Sequence, residues 1–316
     1  IQLEINQVYE LAKQVFFRIR GLGILENIIC DDEVSEIMVN GLEHIFIEKK
    51  GNMIKFQHRI ESEKEYYRII QKIVGKAGRE INISNPIVDA RLEDGSRVNI
   101  VLPPIAYKQP VMTIRKFPKK HIDMEFLIKN KTISQEVAEF FELLVKAKFN
   151  ILIGGGTSSG KTTFLNALTE FIDKNERIIT IEDSRELIID NKENLISLET
   201  RNSNSANKGK IDISSLIKNS LRMRPDRIIV GEVRSKETID MLTALNTGHD
   251  GGLTTAHANS PIDMISRLET MVLRAGENIP IEAVKRMIGS SIDIIIHIAK
   301  IDQNKRRVID ISEVTY

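Results

Sequence analysis

Residues 155–162 read Gly-Gly-Thr-Ser-Ser-Gly-Lys-Thr. The string matches Gly-x-x-x-x-Gly-Lys-Ser/Thr and stands between an apolar run, 149–153, and a helical pattern. This context is typical of a phosphate-binding loop, where glycines let successive N–H groups point inward and the next helix adds positive potential. We expect Lys161 to reach the β- and γ-phosphates and the Thr162 hydroxyl to bind magnesium. The residues predicted to bind the nucleotide, ATP, are Gly155, Gly156, Thr157, Ser158, Ser159, Gly160, Lys161, Thr162 and Thr163.

Length and composition limit the class of protein. A chain of 316 residues is long enough for two domains with separate cores. The net charge of +1, with 5% aromatic residues and no Trp, argues against a basic groove with stacking platforms for nucleic acid. The single cysteine, Cys30, excludes an internal disulfide and is typical of a reducing compartment. No apolar run is as long as a membrane span, so any membrane association is expected to be peripheral or through partners.

The first part of the chain predicts an N-terminal helix followed by an α+β domain. Apolar residues at helical spacing over 7–19 predict a helix within the segment 1–24. The α+β domain is predicted over 25–117, with short strands and a helix over 62–76.

Residues 88–102 predict a β-hairpin in this domain. With 94–96 as a three-residue loop, the apolar residues share one face, and Arg91 and Arg97 lie on the other. This register pairs Leu92 with Val98 and places Glu93 opposite Arg97. A cross-strand ion pair with Glu93 is therefore the alternative to a functional role for Arg97.

The second part of the chain predicts an α/β domain with a mostly parallel sheet. A linker is predicted over 118–131, and strand and helix patterns alternate from residue 132 to residue 316. The core strands are predicted at 149–153, 177–182, 194–199, 227–231 and 252–256, followed by β-rich runs at 292–298 and 307–314.

Three strand-like runs end in residues suited to phosphate chemistry. One ends in Glu232, and an acid at that place holds the magnesium shell in phosphate-loop enzymes. Another ends in Glu182 and Asp183, either of which is a candidate to orient the attacking water, because ligands bind at the carboxyl ends of parallel strands. The third ends at His257, a candidate donor to the γ-phosphate, although a single histidine is more often structural. His249 and His257 lack the spacing of a zinc site.

Together these strings resemble the four sequence boxes of the secretion ATPase superfamily, whose members power type II and type IV secretion and type IV pilus assembly. The boxes correspond to residues 155–162, 180–183, 227–234 and 254–259. Three further strings are most similar to the tight-adherence (Tad) pilus branch, the CpaF-like ATPases: residues 38–41, 221–226 and 246–249.

The resemblance implies a hexameric Mg-dependent ATPase with an N-terminal domain over each RecA-like domain. By position, Glu182 matches the catalytic glutamate, Glu232 the Walker B glutamate and His257 the histidine-box residue. The family also brings arginines onto the γ-phosphate from the N-terminal domain. Arg97 and Arg115 are the candidates there, and Arg201 is a further candidate to bind the nucleotide.

The sequence therefore predicts an ATP-hydrolysing hexameric motor for assembly or retraction of a type IV or Tad-type pilus, or for protein secretion across the cell envelope. The predicted partners are identical subunits and an inner-membrane platform protein, with no nucleic acid. The predicted location is cytoplasmic, at the inner face of the cytoplasmic membrane. Two alternatives are a RecA-like nucleic-acid translocase or helicase and a nucleotide-gated scaffold that scarcely hydrolyses ATP.

Overall fold

The computed structural model describes residues 8, 16–17, 21–117, 122–201, 209–276, 279–302 and 305–315. The helix predicted over 7–19 lies almost entirely outside these residues. The chain divides into two compact units, Ile1–Lys119 and Lys120–Tyr316. Among the helices that the structure describes, none is long and apolar enough to cross a membrane.

The N-terminal unit is an antiparallel sheet covered by a long helix. Its helices are α1 (Leu25–Ile29) and α2 (Glu63–Lys76), and its strands are β1 (Val34–Asn40), β2 (His44–Lys49), β3 (Asn52–Lys55), β4 (Ile87–Arg91), β5 (Arg97–Val101) and β6 (Val111–Arg115). The strands lie in the order β3-β2-β1-β6-β5-β4. Ser62 caps α2 by accepting from the Glu65 N–H, and the helix buries Tyr66 and the isoleucines of the predicted apolar face.

The β4–β5 hairpin differs from its predicted register. Ala90 pairs with Val98, and Arg91 pairs with Arg97, so every pair is shifted by two residues. The apolar face is unchanged by this shift, because side chains alternate with a period of two. The reason is Gly95, whose φ of +88° suits the last position of a three-residue loop over 93–95. Glu93 lies in that loop and pairs with Lys76, whose Nζ is 2.8 Å from Glu93 Oε1.

The C-terminal unit is built on a seven-stranded sheet. Its strands are β7 (Ile151–Gly155), β8 (Ile178–Glu182), β9 (Leu195–Glu199), β10 (Arg227–Val230), β11 (Leu253–His257), β12 (Ile294–Asp302) and β13 (Lys305–Glu313). Its α-helices are α3 (Met124–Lys129), α4 (Gln135–Lys146), α5 (Lys161–Leu168), α6 (Ile213–Ser220), α7 (Glu237–Leu245), α8 (Pro261–Leu273) and α9 (Ile281–Ser291), and Thr169–Phe171 forms a short 3₁₀ helix.

The sheet order is β13-β12-β7-β11-β10-β8-β9, and only the β12–β13 pair is antiparallel. Both faces are covered. Ile151 and Ile153 belong to the core shared with α4 and α5, while Leu152 belongs to the core shared with α6 to α9. Burial on both faces explains why these strands are continuous apolar runs. The predicted fold class, α/β with a mostly parallel sheet and a smaller α+β domain, is confirmed.

Helix α3 occupies part of the predicted linker, 118–131, and the division between the two compact units, after Lys119, also falls within that range. Asp123 caps the helix by accepting from the Phe126 N–H, at 2.7 Å. Met124 and Leu127 are buried in the core of the C-terminal unit. Their three-residue spacing was the signal in the sequence, and it was obscured by the basic residues around it.

Candidate phosphate-binding site

The phosphate-binding loop joins β7 to α5, as the sequence predicts. Two residues with positive φ shape it, Ser158 at +58° and Gly160 at +94°, and Gly160 precedes the first residue of α5. The N–H groups of the first turn of a helix have no partner within the helix, so this end of α5 favours an anion. Thr162 and Thr163 lie in that first turn and are half-buried.

Lys161 is buried beneath the loop. It is only 7% exposed, and its Nζ donates to the Gly156 carbonyl oxygen at 2.9 Å. Burial lowers the pKa of Lys161 from its ordinary value, while the negative charge of Glu232 opposes that effect. A buried ammonium group is stabilised strongly by a bound anion, because its own hydration has already been lost.

The interior of the loop fits a phosphate group. Ser159 is 2% exposed, and its buried hydroxyl oxygen has no hydrogen-bond partner within the described part of the chain. The Ser159 N–H lies 3.4 Å from the Gly156 carbonyl oxygen, a long contact. The Ser159 hydroxyl and N–H thus lie close together with a missing or a weak acceptor. A phosphate oxygen could accept hydrogen bonds from both.

His257 is brought to the loop by strand register. It ends β11, which lies next to β7, and it pairs with Gly155 at the start of the loop. Its Nδ1 lies 3.2 Å from Lys161 Nζ, and its Nε2 lies 2.9 Å from Glu232 Oε1. An ammonium group only donates, so Nδ1 accepts and the proton of the neutral ring is on Nε2, facing Glu232. Burial, then the charge of Lys161, lowers the pKa of His257, which keeps the ring neutral.

Glu232 and Asp183 are joined by Arg234. Arg234 Nη2 donates to Glu232 Oε2 at 2.6 Å, and its Nη1 lies 3.6 Å from Asp183 Oδ2. The hydrogen bond to Glu232 raises the pKa of Arg234 further above its ordinary value. Sequence reasoning missed Arg234 as a site residue, although it stands two positions after Glu232.

Glu182 ends β8 and is 3% exposed. Its Oε1 accepts the N–H groups of Glu186 at 2.9 Å and Leu187 at 3.1 Å, which fixes the orientation of the carboxylate. The neighbouring strand end leaves room for it, because a Cβ on Gly231 would lie 2.9 Å from Glu182 Cγ. Glu182, Glu232 and His257 thus lie at the carboxyl ends of three strands, the edge where parallel sheets bind ligands.

Protein side chains alone do not form a metal centre in the residues described. No group of three or more His, Cys, Asp or Glu there could hold a metal ion. Magnesium in nucleotide sites usually needs only one or two protein ligands besides phosphates and waters. Thr162 and Glu232, the predicted magnesium residues, are compatible with that pattern.

The remaining predicted arginines lie elsewhere. In the N-terminal unit, Arg97 is opposite both Arg91 and Arg115, so three arginines form a row across β4, β5 and β6. Glu36 continues the row, with its Oε1 3.7 Å from Arg115 Nε. Arg201, beyond β9 in the C-terminal unit, is exposed and donates from Nε to the Gly209 carbonyl oxygen at 2.7 Å.

The C-terminal hairpin supplies an arginine that the sequence did not reveal. Arg306 Nε donates to the Ser158 carbonyl oxygen at 3.1 Å, although the two residues are 148 positions apart. No local pattern predicts such a contact, because it depends on β12 lying beside β7.

Comparison with known proteins gives a family and a fold. The sequence matches the model of the type II/IV secretion system protein family over residues 19–315. A putative conjugal transfer protein of Mycobacterium tuberculosis is 31% identical over 298 residues, which cover 92% of this chain and 84% of that protein. The conjugal transfer protein TrbB of Rhizobium radiobacter is 31% identical over 280 residues, 87% of this chain and 82% of the relative.

Solved structures share the fold at lower identity. The Legionella pneumophila ATPase DotB gives a TM-score of 0.65 at 23% identity, covering 90% of this chain and 80% of that one. The pilus retraction motor PilT, with bound ADP, gives 0.64 at 22% identity, covering 87% and 77%. The VirB11 ATPase of the Brucella suis type IV secretion system gives 0.51 at 24% identity, covering 92% and 95%.

These comparisons confirm the predicted superfamily and its RecA-like fold with an N-terminal domain. The family match favours a secretion motor over a nucleic-acid translocase. The tight-adherence branch is not separated from the rest of the family, so that assignment stays a prediction.

Proposed function

We propose that this chain, which belongs to the type II/IV secretion system protein family, hydrolyses Mg-ATP to drive a pilus or secretion machine. The observation that carries the proposal is the position of Lys161. It is buried at the base of the loop, and its Nζ lies 3.2 Å from His257, which itself lies 2.9 Å from Glu232. A lysine, a neutral histidine and an acid at adjoining strand ends are suited to bind a triphosphate and its magnesium.

Each predicted residue takes a role in this proposal. Lys161 and the N–H groups from Gly155 to Thr163 bind the β- and γ-phosphates. Thr162 and Glu232 would hold magnesium, Glu232 through water, as acids at this position usually do. Bound magnesium neutralises charge on the phosphates.

Glu182 is proposed to orient the attacking water. Two N–H groups donate to its Oε1, so the carboxylate is already oriented and loses little conformational entropy during the reaction. His257, as a neutral ring with its proton on Nε2, links Lys161 to Glu232 and reports whether the phosphate site is filled.

Arg97 and Arg115 are proposed to stabilise charge on the γ-phosphate. Arginines inserted from another domain or subunit do this in other phosphate-loop enzymes, where they raise kcat by about 10³- to 10⁵-fold. The row that they form with Arg91 concentrates positive charge on one face of the N-terminal sheet. Arg201 is proposed as a further nucleotide contact.

The working assembly is proposed to be a homo-hexamer at the cytoplasmic face of the inner membrane. It would act on a platform protein of a pilus or secretion machine and bind no nucleic acid. The family match and the relatives named as conjugal transfer proteins support a role in such a machine.

Nucleotide binding and phosphate release test the proposal. Wild-type protein is expected to bind ATP and to release phosphate only with Mg²⁺, and EDTA is expected to stop the release. Lys161→Ala is expected to lose both binding and hydrolysis, whereas Lys174→Ala, on an exposed turn, keeps them. Wild-type protein that binds no ATP with Mg²⁺ present would refute the proposed function.

A further inference from the structure

The C-terminal hairpin extends past the end of the strand that carries the phosphate-binding loop. Ile298 on β12 lies opposite Gly155, the last residue of β7. Strand β12 continues to Asp302, and β13 returns with Arg306 opposite Lys300. The described ends of the hairpin strands, Asp302 and Lys305, therefore lie beyond the end of β7, on the side where the loop begins.

Arg306 crosses the loop closely. Its Cδ would lie 3.0 Å from a Cβ on Gly160, so its stem passes where only a glycine leaves space. Its Nε donates to the Ser158 carbonyl oxygen at 3.1 Å. The side chain is exposed.

This hydrogen bond sets the direction of one peptide group. In a trans peptide the carbonyl and the following N–H point to opposite sides. With the Ser158 carbonyl directed at Arg306, the Ser159 N–H is directed away from the hairpin, and it lies 3.4 Å from the Gly156 carbonyl oxygen inside the loop. Ser158 also has a φ of +58°, a left-handed conformation that is unfavourable for a residue other than glycine.

We propose that Arg306 is a positioning residue for the phosphate-binding loop. It holds the Ser158–Ser159 peptide so that the Ser159 N–H remains a donor to the phosphate, and nucleotide affinity therefore depends on the C-terminal hairpin. The inference rests on the proposed function, because it concerns the same phosphate-binding loop and its affinity for Mg-ATP.

The neighbouring residue provides a matched control. Adjacent side chains in a strand point to opposite faces, and Arg307 lines a groove with Ile128 and Lys131 on the other side of the hairpin. Arg307→Ala removes the same charge from the same strand without touching the loop.

The experiment measures the Kd for Mg-ATP and the melting temperature without nucleotide in wild type, R306A, R306K and R307A. R306A is expected to bind about ten-fold more weakly, the effect of losing a hydrogen bond from a charged donor. R306K is expected to recover most of the affinity, because an ammonium group can donate to the Ser158 carbonyl. R307A should match wild type, and the melting temperatures of R306A and R307A should agree.

Two results would overturn the inference. One is R306A binding Mg-ATP as tightly as R307A. The other is a lower melting temperature in R306A than in R307A, which would make Arg306 an anchor of the hairpin. Both differ from failure of the proposed function, in which wild-type protein itself binds no Mg-ATP.

Discussion

His257 and Lys161 lie together at the base of the phosphate-binding loop, with 3.2 Å between the imidazole Nδ1 and the ammonium nitrogen. One residue ends a strand and the other begins a helix, and the contact exists because β11 is the neighbour of β7. Because Nδ1 can accept from the ammonium group only while it carries no proton, protonation of His257 removes a hydrogen bond from Lys161.

The first prediction concerns acid pH. The pKa of His257 is below its ordinary value of 6.5, through burial, then Lys161, with Arg234 and Arg267 adding to the effect and Glu232 opposing it. The ring is therefore neutral at pH 7 and gains a proton only as the pH falls below 6.5. A protonated ring loses its acceptor for Lys161 and pairs with Glu232, so kcat is expected to fall over that range.

His257→Gln is expected to flatten this acid limb of the pH profile of kcat. His249→Gln is the control, and its profile should follow that of wild type. An acid limb of unchanged midpoint in His257→Gln would exclude His257 as its origin.

The second prediction separates binding from chemistry. Glu182→Gln keeps the shape of the side chain but removes the charge that orients water, so ATP affinity should stay within about three-fold while phosphate release falls by 10² or more, roughly the contribution of a general base. Glu199→Gln, on the neighbouring strand, should release phosphate normally. Near-normal turnover in Glu182→Gln would remove that residue from its role.

The third prediction concerns the arginine row. Arg97→Gln and Arg115→Gln are expected to lower kcat by about 10³-fold or more, as for other inserted arginines, with little change in melting temperature. Arg59→Gln is the control in the same unit, because the ion pair that Arg59 makes with Glu43 is exposed on both sides. Full activity in both row variants would exclude them from catalysis.

The fourth prediction concerns assembly. If an active site is completed across subunits, specific phosphate release should rise with protein concentration and level off as the ring forms. Sedimentation at the same concentrations should show the hexamer appearing over that range. Constant specific activity while the oligomer dissociates would mean that a single subunit is sufficient.

The fifth prediction tests a buried ion pair. Arg227 is fully buried, and its Nε donates to Glu176 Oε2 at 2.8 Å while its Nη2 donates to the Val145 carbonyl oxygen at 2.7 Å. Arg227→Met should lower the free energy of unfolding by about 3–5 kcal/mol, since it strands a carboxylate and a carbonyl. Lys148→Met, which removes a half-exposed partner of Glu176, should cost less than about 1 kcal/mol in the same urea titration.

The sequence predicted what depends on local pattern. The loop at Gly155–Thr162 and the strands that precede Glu182 and Glu232 each follow from residues within one element.

What sequence reasoning missed depends on neighbours distant in the chain or on backbone angles. The two hairpin registers bury the same face, so alternation does not distinguish them, and the left-handed Gly95 decides between them. The contact between Arg306 and Ser158 needs the strand order β12-β7, which no local pattern contains. Arg234 could have been predicted from the sequence, because it stands two residues after Glu232 and the two side chains carry opposite charges.

The order of the strands also bears on how the protein is made. Strand β7, which carries the loop, is synthesised midway along the chain, yet both of its neighbours in the sheet, β11 and β12, leave the ribosome later. The strand that carries the phosphate-binding loop therefore gains one neighbour once residue 257 has emerged and the other only once residue 298 has emerged. The proposed nucleotide site is therefore completed late in synthesis, after most of the C-terminal unit has been made.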